Sequence, residues 1–430
     1  MKTSKLILAS LFVMAAAQMA SAQIEIRITG STAFRTAVHT AIQNILQPGF
    51  TIGYTGAGAN VLGATEAIFK GTTVTSNIAV TIKTAWSGSV GGIHSLTTGN
   101  GLPDATANPA IVAGFLVDST PTSAPPGTNS VPATFETPVA PAAADKAGFP
   151  NIAMADSFQA SAGPISKTLT TPALVGWSGD PANGEVGVVP FVWVRNAGAP
   201  TTLSNMTNQL ASAVLTQGNI PLYQFTNVAT DTIPVFVTGR NNDSGTRLDA
   251  FAEPGFGIAT SPQQVDPTNP LPSTFDHIAA GAWVAGTSGV TFYNPTTNGR
   301  SSGGTLAGDM NATGSNTNLN STGSQGLQSG GWLVTYLGIN DSNSVNGGAN
   351  DMTYNGFAYS PTAVEMGQYT FWAYEHLYFS PQLHALPAND THITVANQLA
   401  TRLTTVDATA SGILLSSMLV ARVAEGLPVF

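Results

Sequence analysis

The densest chemistry in the chain sits in eight consecutive residues, Gly239-Arg240-Asn241-Asn242-Asp243-Ser244-Gly245-Thr246. Arg240 offers a planar, two-pronged donor that matches the oxygens of an oxyanion, and Ser244 and Thr246 add neutral hydroxyl donors. Ile233–Thr238 before them reads as a strand, and Arg247–Glu253 opens a short helix with Leu248 and Phe251 inward. A helix that starts just past a Gly/Ser/Thr loop leaves unpaired backbone N–H groups and hydroxyls aimed at one spot, which suits an anion. Only 9% of the residues are charged, so a lone arginine beside such a loop is informative.

Other chemistries find little support. The phosphate loop G-x-x-x-x-G-K-[ST] and the dinucleotide pattern G-x-G-x-x-G after a strand are absent. The six histidines (39, 94, 277, 376, 384 and 392) show no ligand spacing and read as structural. Asp309, Asp341 and Asp351 lie in Gly/Asn-rich sequence without calcium-loop spacing, and read as solvated turn residues. With no cysteine there is no thiol nucleophile, disulfide, cysteine-based metal site or lipid-anchor cysteine. The expectation is a protein that is not an enzyme, with no catalytic residue, no metal and no cofactor.

The elements that position the loop follow α/β grammar. Ile24–Ile28 alternates apolar and polar as a half-exposed strand, followed by a helix with Phe34, Ala37, Val38, Ala41, Ile42 and Ile45 inward and Ser31 or Thr32 as its cap. Asn77–Trp86, Ser87-Gly88-Ser89 and a helix from about Val90 repeat the unit. Val186–Val194 and Tyr369–Tyr378 read as buried strands that cross between two lobes. Thr97–Lys146, rich in Pro, Ala and Thr, and Thr296–Asn350, rich in Gly, Ser and Asn, read as surface insertions or long loops. Helical spacing runs from Ile393 to Val423 and packs on the first lobe.

Lys2 and Lys5, the apolar run Leu6–Ala17 and Ala20-Ser21-Ala22 form a secretory signal with cleavage near Ala22-Gln23. Export means periplasm, extracellular space or cell surface. No later stretch reaches the roughly 20 apolar residues of a membrane span. The remaining residues, roughly 400, point to two lobes. A formal charge of −9 argues against nucleic acid or an anionic membrane as partner.

Taken together, these motifs resemble the phosphate-binding proteins of bacterial ABC importers. Their anion loop has the form R-x-D-G-S-G-T, and Arg240, Ser244, Gly245 and Thr246 match it while Asn242 and Asp243 depart from it. Thr29-Gly30-Ser31-Thr32-Ala33-Phe34 is similar to the element after the family's first strand. Gly88–Ile93 is similar to its G-S-S-G-G-V, and Ile152–Ser157 to its F-G-A-S-D segment. Val186–Val194 is similar to the strand that leads into the second lobe. The resemblance spans most of the chain, with insertions at about 47–76, 97–147 and 298–350.

The resemblance implies a type 2 periplasmic-binding-protein fold: an α/β chain of two lobes joined by two crossing segments. Its expected divisions are 1–22 signal peptide, 23–198 lobe 1, 199–360 lobe 2 and 361–430 return to lobe 1. It implies that Thr32, the amide of Ala33, Ser89, Asp156, Arg240, Ser244, Gly245 and Thr246 surround inorganic phosphate, with an ABC permease as partner. Asp156, an acceptor-only carboxylate, would take a proton from the ligand and so favour hydrogen phosphate over sulfate. In the family the acid at the Asn242 position orients the arginine, a role that Asp243 is next in line to take. The plainer alternative leaves Thr32 and Ser244 as helix caps, Arg240 as an ion pair with Asp243 and Asp156 as a turn residue. A second functional reading is a secreted or surface-associated structural or adhesive protein that keeps the fold and has lost or altered anion binding.

Overall fold

A computed structural model describes residues 23–56, 61–98, 114–125, 130–136, 149–165, 167–177, 184–265, 299–312 and 331–430. The expected signal segment, 1–22, lies outside the described residues, as does His277. The strands are β1 Ile24–Gly30, β2 Thr51–Tyr54, β3 Glu66–Thr72, β4 Ala79–Ala85, β5 Ile152–Ala155, β6 Val175–Gly176, β7 Glu185–Arg195, β8 Asn205–Met206, β9 Asn219–Pro221, β10 Pro234–Val237, β11 Trp332–Gly338, β12 Thr353–Tyr354 and β13 Trp372–Phe379. Helices of eight or more residues are α1 Arg35–Ile45, α2 Ser89–Thr98, α3 Asn208–Gln217, α4 Gly245–Ala252, α5 Gly303–Ala312 and α6 Thr391–Thr405. The chain is a mixed α/β protein built on one large sheet.

That sheet has 11 strands along the path β2-β3-β4-β1-β5-β13-β7-β11-β10-β9, with β6 on β13. β1 runs parallel to β4 and β5, and β10 parallel to β11, while β13 runs antiparallel to both β5 and β7. β7 ties the two halves. Its residues Glu185–Pro190 pair with β13, and Phe191–Arg195 pair with β11. Pro190 has no N–H to give a ladder and falls where β7 changes partner. β7 and β13 are buried almost throughout, as expected from their apolar runs.

Several sequence expectations change. β1 is not half exposed: Arg27 and Thr29 are buried, because Glu136 accepts from Arg27 Nε at 2.8 Å and Thr29 Oγ1 meets Ser87 Oγ at 3.1 Å. The stretch 47–76 carries β2 and β3, an antiparallel pair that extends the sheet edge. The described parts of 97–147 cover that edge through bridges from Ser123 to Ile52 and Ser130 to Tyr54, and bury Phe115 and Leu116. Within 298–350 lie α5 and β11, a strand paired on both sides. A composition rich in Gly, Ser and Asn hides a seven-residue apolar run when it is averaged over fifty residues. The C-terminal helix stops at Thr405, where Arg402 pairs with Asp407 at 2.8 Å, and the chain then turns to lay Ile413 against Val188 of β7.

Candidate functional site

Three chain reversals meet between the halves of the sheet: the exit of β5 at Asp156, the start of α2 at Ser89 and the start of α4 at Ser244-Gly245-Thr246. Ser89 Oγ donates to Asp156 Oδ1 and accepts from the Asp156 amide at 3.1 Å. Thr246 Oγ1 donates to Asp156 Oδ2 at 3.3 Å. Gly245 is packed so closely that a Cβ there would stand 1.6 Å from Asp156 Oδ1 and 2.8 Å from Ser89 Cβ. Only glycine fits that approach. The backbones touch as well, with the Gly91 amide donating to the Asp243 carbonyl at 3.1 Å.

Arg240 is 2% exposed. Its Nε donates to the Arg300 carbonyl at 3.0 Å and its Nη2 to the Ser301 carbonyl at 2.8 Å, just ahead of α5. Its own carbonyl accepts from Arg247 Nη1 at 2.9 Å and Gln264 Nε2 at 3.3 Å, and its amide donates to the Tyr336 hydroxyl at 3.2 Å. The backbone of this arginine is thus held from three sides. Burial pulls the guanidinium below its ordinary range, and the carboxylates that oppose this are Asp341 first and then Asp156. Tyr336 and then Asp243 act on Arg247, which lies against the Arg240 carbonyl. Asp341 is itself buried and pairs with Arg35 Nη2 at 3.5 Å.

Burial pushes the Asp156 carboxyl up, against the hydrogen bond from Ser89, the charge of Arg240 and the hydrogen bond from Thr246. It is therefore a poised acceptor rather than a solvated turn residue. Ser244 caps α4, accepting from the Arg247 amide at 3.2 Å, so its hydroxyl takes the plainer of its two expected roles here. Thr32 and Ala33 are buried in the turn after β1, and Ala33 lies against Gly338 at the end of β11. Of the eight expected residues, direct contacts join Ser89, Asp156, Gly245 and Thr246. Arg240 acts on Asp156 through charge, and Thr32 and Ala33 stand beside them at the end of the neighbouring strand.

Sequence reasoning missed Asp341, Arg35 and Glu375. Asp341 was expected as a solvated turn residue, as were Asp309 and Asp351. Instead Asp341 is buried, Asp309 accepts from Arg300 Nη2 at 2.7 Å, and burial raises Asp351 to about 6. Gly/Asn-rich surroundings masked these roles. Glu375 had a visible signal: it is the only carboxylate in the aromatic run of β13.

A second charge cluster lies along β1, with Arg27 and Lys83 buried and Asp118 exposed. Glu25, Asp118 and Glu136 bring carboxylate oxygens within 4.8 Å of one another, a spacing a metal ion could use. Lys83 Nζ already stands among them, 2.9 Å from Glu25 and 2.7 Å from Asp118, with Glu136 also in contact. His39 is structural: it lies between the Leu62 carbonyl, Thr84 Oγ1 and Trp86 Nε1, and burial lowers it to about 4. No helix among the described residues is long and apolar enough to cross a membrane.

No protein-family model matches this chain, and no curated protein does. Among solved structures, it is similar to one from Clostridium perfringens, described as a phosphate ABC transporter substrate-binding protein with bound phosphate. The identity is 12% over 91% of this chain and 99% of that one, with a TM-score of 0.44. It is also similar to an ABC-type phosphate transport receptor from Vibrio cholerae, at 13% identity over 91% and 99%, with a TM-score of 0.41. A third is PstS from Borrelia burgdorferi, at 11% identity over 91% and 98%, with a TM-score of 0.38. Likeness of this size carries no function across, so the role of this chain rests on its own residues.

Proposed function

We propose that this chain is an exported solute-binding protein that closes two lobes around phosphate, or an oxyanion of the same shape, for uptake through an ABC permease. The lobes in this reading are 23–198 with 361–430, and 199–360. The observation that carries it is the meeting of Ser89, Asp156 and Thr246 at one buried point, with Arg240 as the near cation. In this reading Arg240 supplies the charge, and Thr32, Ser89, Ser244, Thr246 and the amides of Ala33 and Gly245 supply neutral donors. Asp156 accepts the proton that hydrogen phosphate has and sulfate lacks. Binding needs no covalent step, and closure is a hinge motion in which β7 and β13 take up the bend.

A second reading, a structural or adhesive protein on the same fold, draws on one observation. The Arg240 fork commits two donors to backbone carbonyls, and Ser244 uses its hydroxyl as a cap.

Isothermal titration separates the two, using protein from residue 23 onward freed of bound anion by partial unfolding and refolding. Phosphate is expected to give binding heat and sulfate none. Arg240→Ala is expected to weaken phosphate by at least about a hundredfold, since it removes the cation from a desolvated pair. Asp156→Asn is expected to admit sulfate, because its amide replaces an acceptor with a donor. A folded, stripped protein silent to both anions overturns the transport reading and leaves the structural one.

A further inference from the structure

Beside Asp156 lies a second carboxyl that the anion reading does not use. β13 runs antiparallel to β5 with His376 opposite Ala155, the last residue of β5, so Glu375 and Asp156 are the two residues just past that pair. Residues placed so bring their side chains within roughly 5–8 Å, where like charges repel, and the charge of Asp156 does act on Glu375. Glu375 is 0% exposed, and neither of its carboxyl oxygens has a hydrogen-bond partner among the described residues. The buried Ser31 hydroxyl faces this carboxyl and favours its charged form, without completing a hydrogen bond of good geometry among the described residues. Across β7 the partner of Glu375 is Gly187, which brings no side chain.

We propose that Glu375 is a further specificity residue of the anion site, forming with Asp156 a carboxyl pair that shares one proton beneath the anion. The pair rests on the reading of this site as one for phosphate. Two carboxyls at this distance in a dry site do not both ionise, so the pair presents one acceptor and one donor. Asp156 is the member that ionises first, because Ser89, Arg240 and Thr246 favour its charge. Glu375 keeps the proton: burial and the neighbouring Asp156 both push its carboxyl well above the usual range, against the Ser31 hydroxyl alone.

The other titratable groups nearby act elsewhere. His376 lies on the opposite face of β13 against Phe158 and Tyr378, and burial lowers it to about 4. Glu185 of β7 stands opposite His376. Arg240, Asp249 and Glu425 face Asp156 rather than Glu375. When the shared proton is lost, the site gains a second negative charge and turns against any anion.

Glu375→Gln keeps a donor and cannot ionise. The ratio of phosphate Kd, wild type over variant, cancels the ionisation of free phosphate when both are measured at the same pH. From pH 5 to 10 this ratio is expected to stay flat and then climb by about tenfold per pH unit above the upper ionisation of the pair. A flat ratio throughout, with phosphate bound by both proteins, overturns the specificity role and leaves the transport reading intact. Carboxyl ¹³C titration of the ligand-free wild type tests the pair without phosphate and without any variant. Two well-separated steps, each felt at both side chains, are expected. Two independent titrations, each felt at one residue, overturn the pair whether or not phosphate binds.

Discussion

The first half of the sheet holds two charge constellations, one along β1 and β4 around Lys83 and one past the end of β5 around Asp156, and they are built differently. At the Lys83 end one ammonium meets three carboxylates, and Glu136 also accepts from Arg27 Nε at 2.8 Å. Two of those carboxylates, Asp118 and Glu136, come from the segment that covers the sheet edge, so the cluster pins chain to chain. At the Asp156 end the partners are neutral hydroxyls, and the Ser31 and Ser157 hydroxyls, Asn241 Nδ2 and both Glu375 oxygens have no hydrogen bond of good geometry among the described residues. A buried polar atom without a partner costs about 1–3 kcal/mol, and a fold keeps several together only where they serve something else. The Lys83 end answers charge with charge, as a strut, although Arg27 Nη1 is left over there as well, whereas the Asp156 end gathers several open polar groups around one carboxyl, the arrangement the anion reading calls for.

The largest effect that sharpens this contrast is on stability. Lys83→Met is expected to cost about 3 kcal/mol, because it leaves Glu25 and Glu136 with Arg27 as their remaining cation and puts a buried charge site out of balance. Urea unfolding of wild type and variant measures it. In the folded fraction phosphate affinity is expected to stay within about threefold, since Lys83 is engaged with Glu25, Asp118 and Glu136 rather than with the residues around Asp156. A variant of normal stability that no longer binds phosphate erases the distinction between strut and site.

Next in size is an effect on binding. Gly245→Ala puts a methyl where only 1.6 Å separates it from Asp156 Oδ1, between backbone and a carboxylate held by Ser89. Phosphate affinity is expected to fall by about a hundredfold or more, as the start of α4 is driven off Asp156. Titration of the variant against phosphate checks it, with circular dichroism confirming the fold. Affinity within threefold of wild type removes Gly245 from the site.

Legibility in the sequence divides along the same line. The anion loop could be read because strand, Gly/Ser/Thr loop and helix start are contiguous, and local sequence carries all three. Ser89 and Asp156 could be placed only through resemblance, since 67 residues separate them and spacing says nothing across such a gap. Arg35 and Asp341 were invisible as partners, because their roles arise from packing across 306 positions of sequence, whereas Glu375 stands out as the carboxylate of an aromatic strand. The strands most easily recognised, β7 and β13, are long and dominated by apolar and aromatic residues. β11 went unread because its apolar run is short and its flanks are rich in Gly, Ser and Asn. Arg27 broke the alternation rule, since a buried ion network can hold a charge on a strand face that the pattern assigns to solvent.

The smallest effect tests whether the strut is fully locked. Burial pushes Glu25 up to about 7, in spite of the charges of Arg27 and Lys83. A carboxyl whose folded value lies above its ordinary 4.5 binds its proton more tightly in the fold, so its contribution is present below about pH 4.5 and fades as pH rises towards 7. Asp118 is shifted down from 3.8 and Lys83 up from 10.5, so neither changes charge between pH 5 and 8. Glu25→Gln deletes the titrating group and keeps its shape. Relative to wild type, the variant is expected to gain about 1 kcal/mol between pH 5 and 8, a modest figure because Glu25 is partly screened by solvent. Thermal unfolding at pH 5, 6.5 and 8 reads the gap directly. A gap that does not move with pH means that Glu25 is held as firmly ionised as Asp118, and that the Lys83 cluster is a strut at every pH at which the site can work.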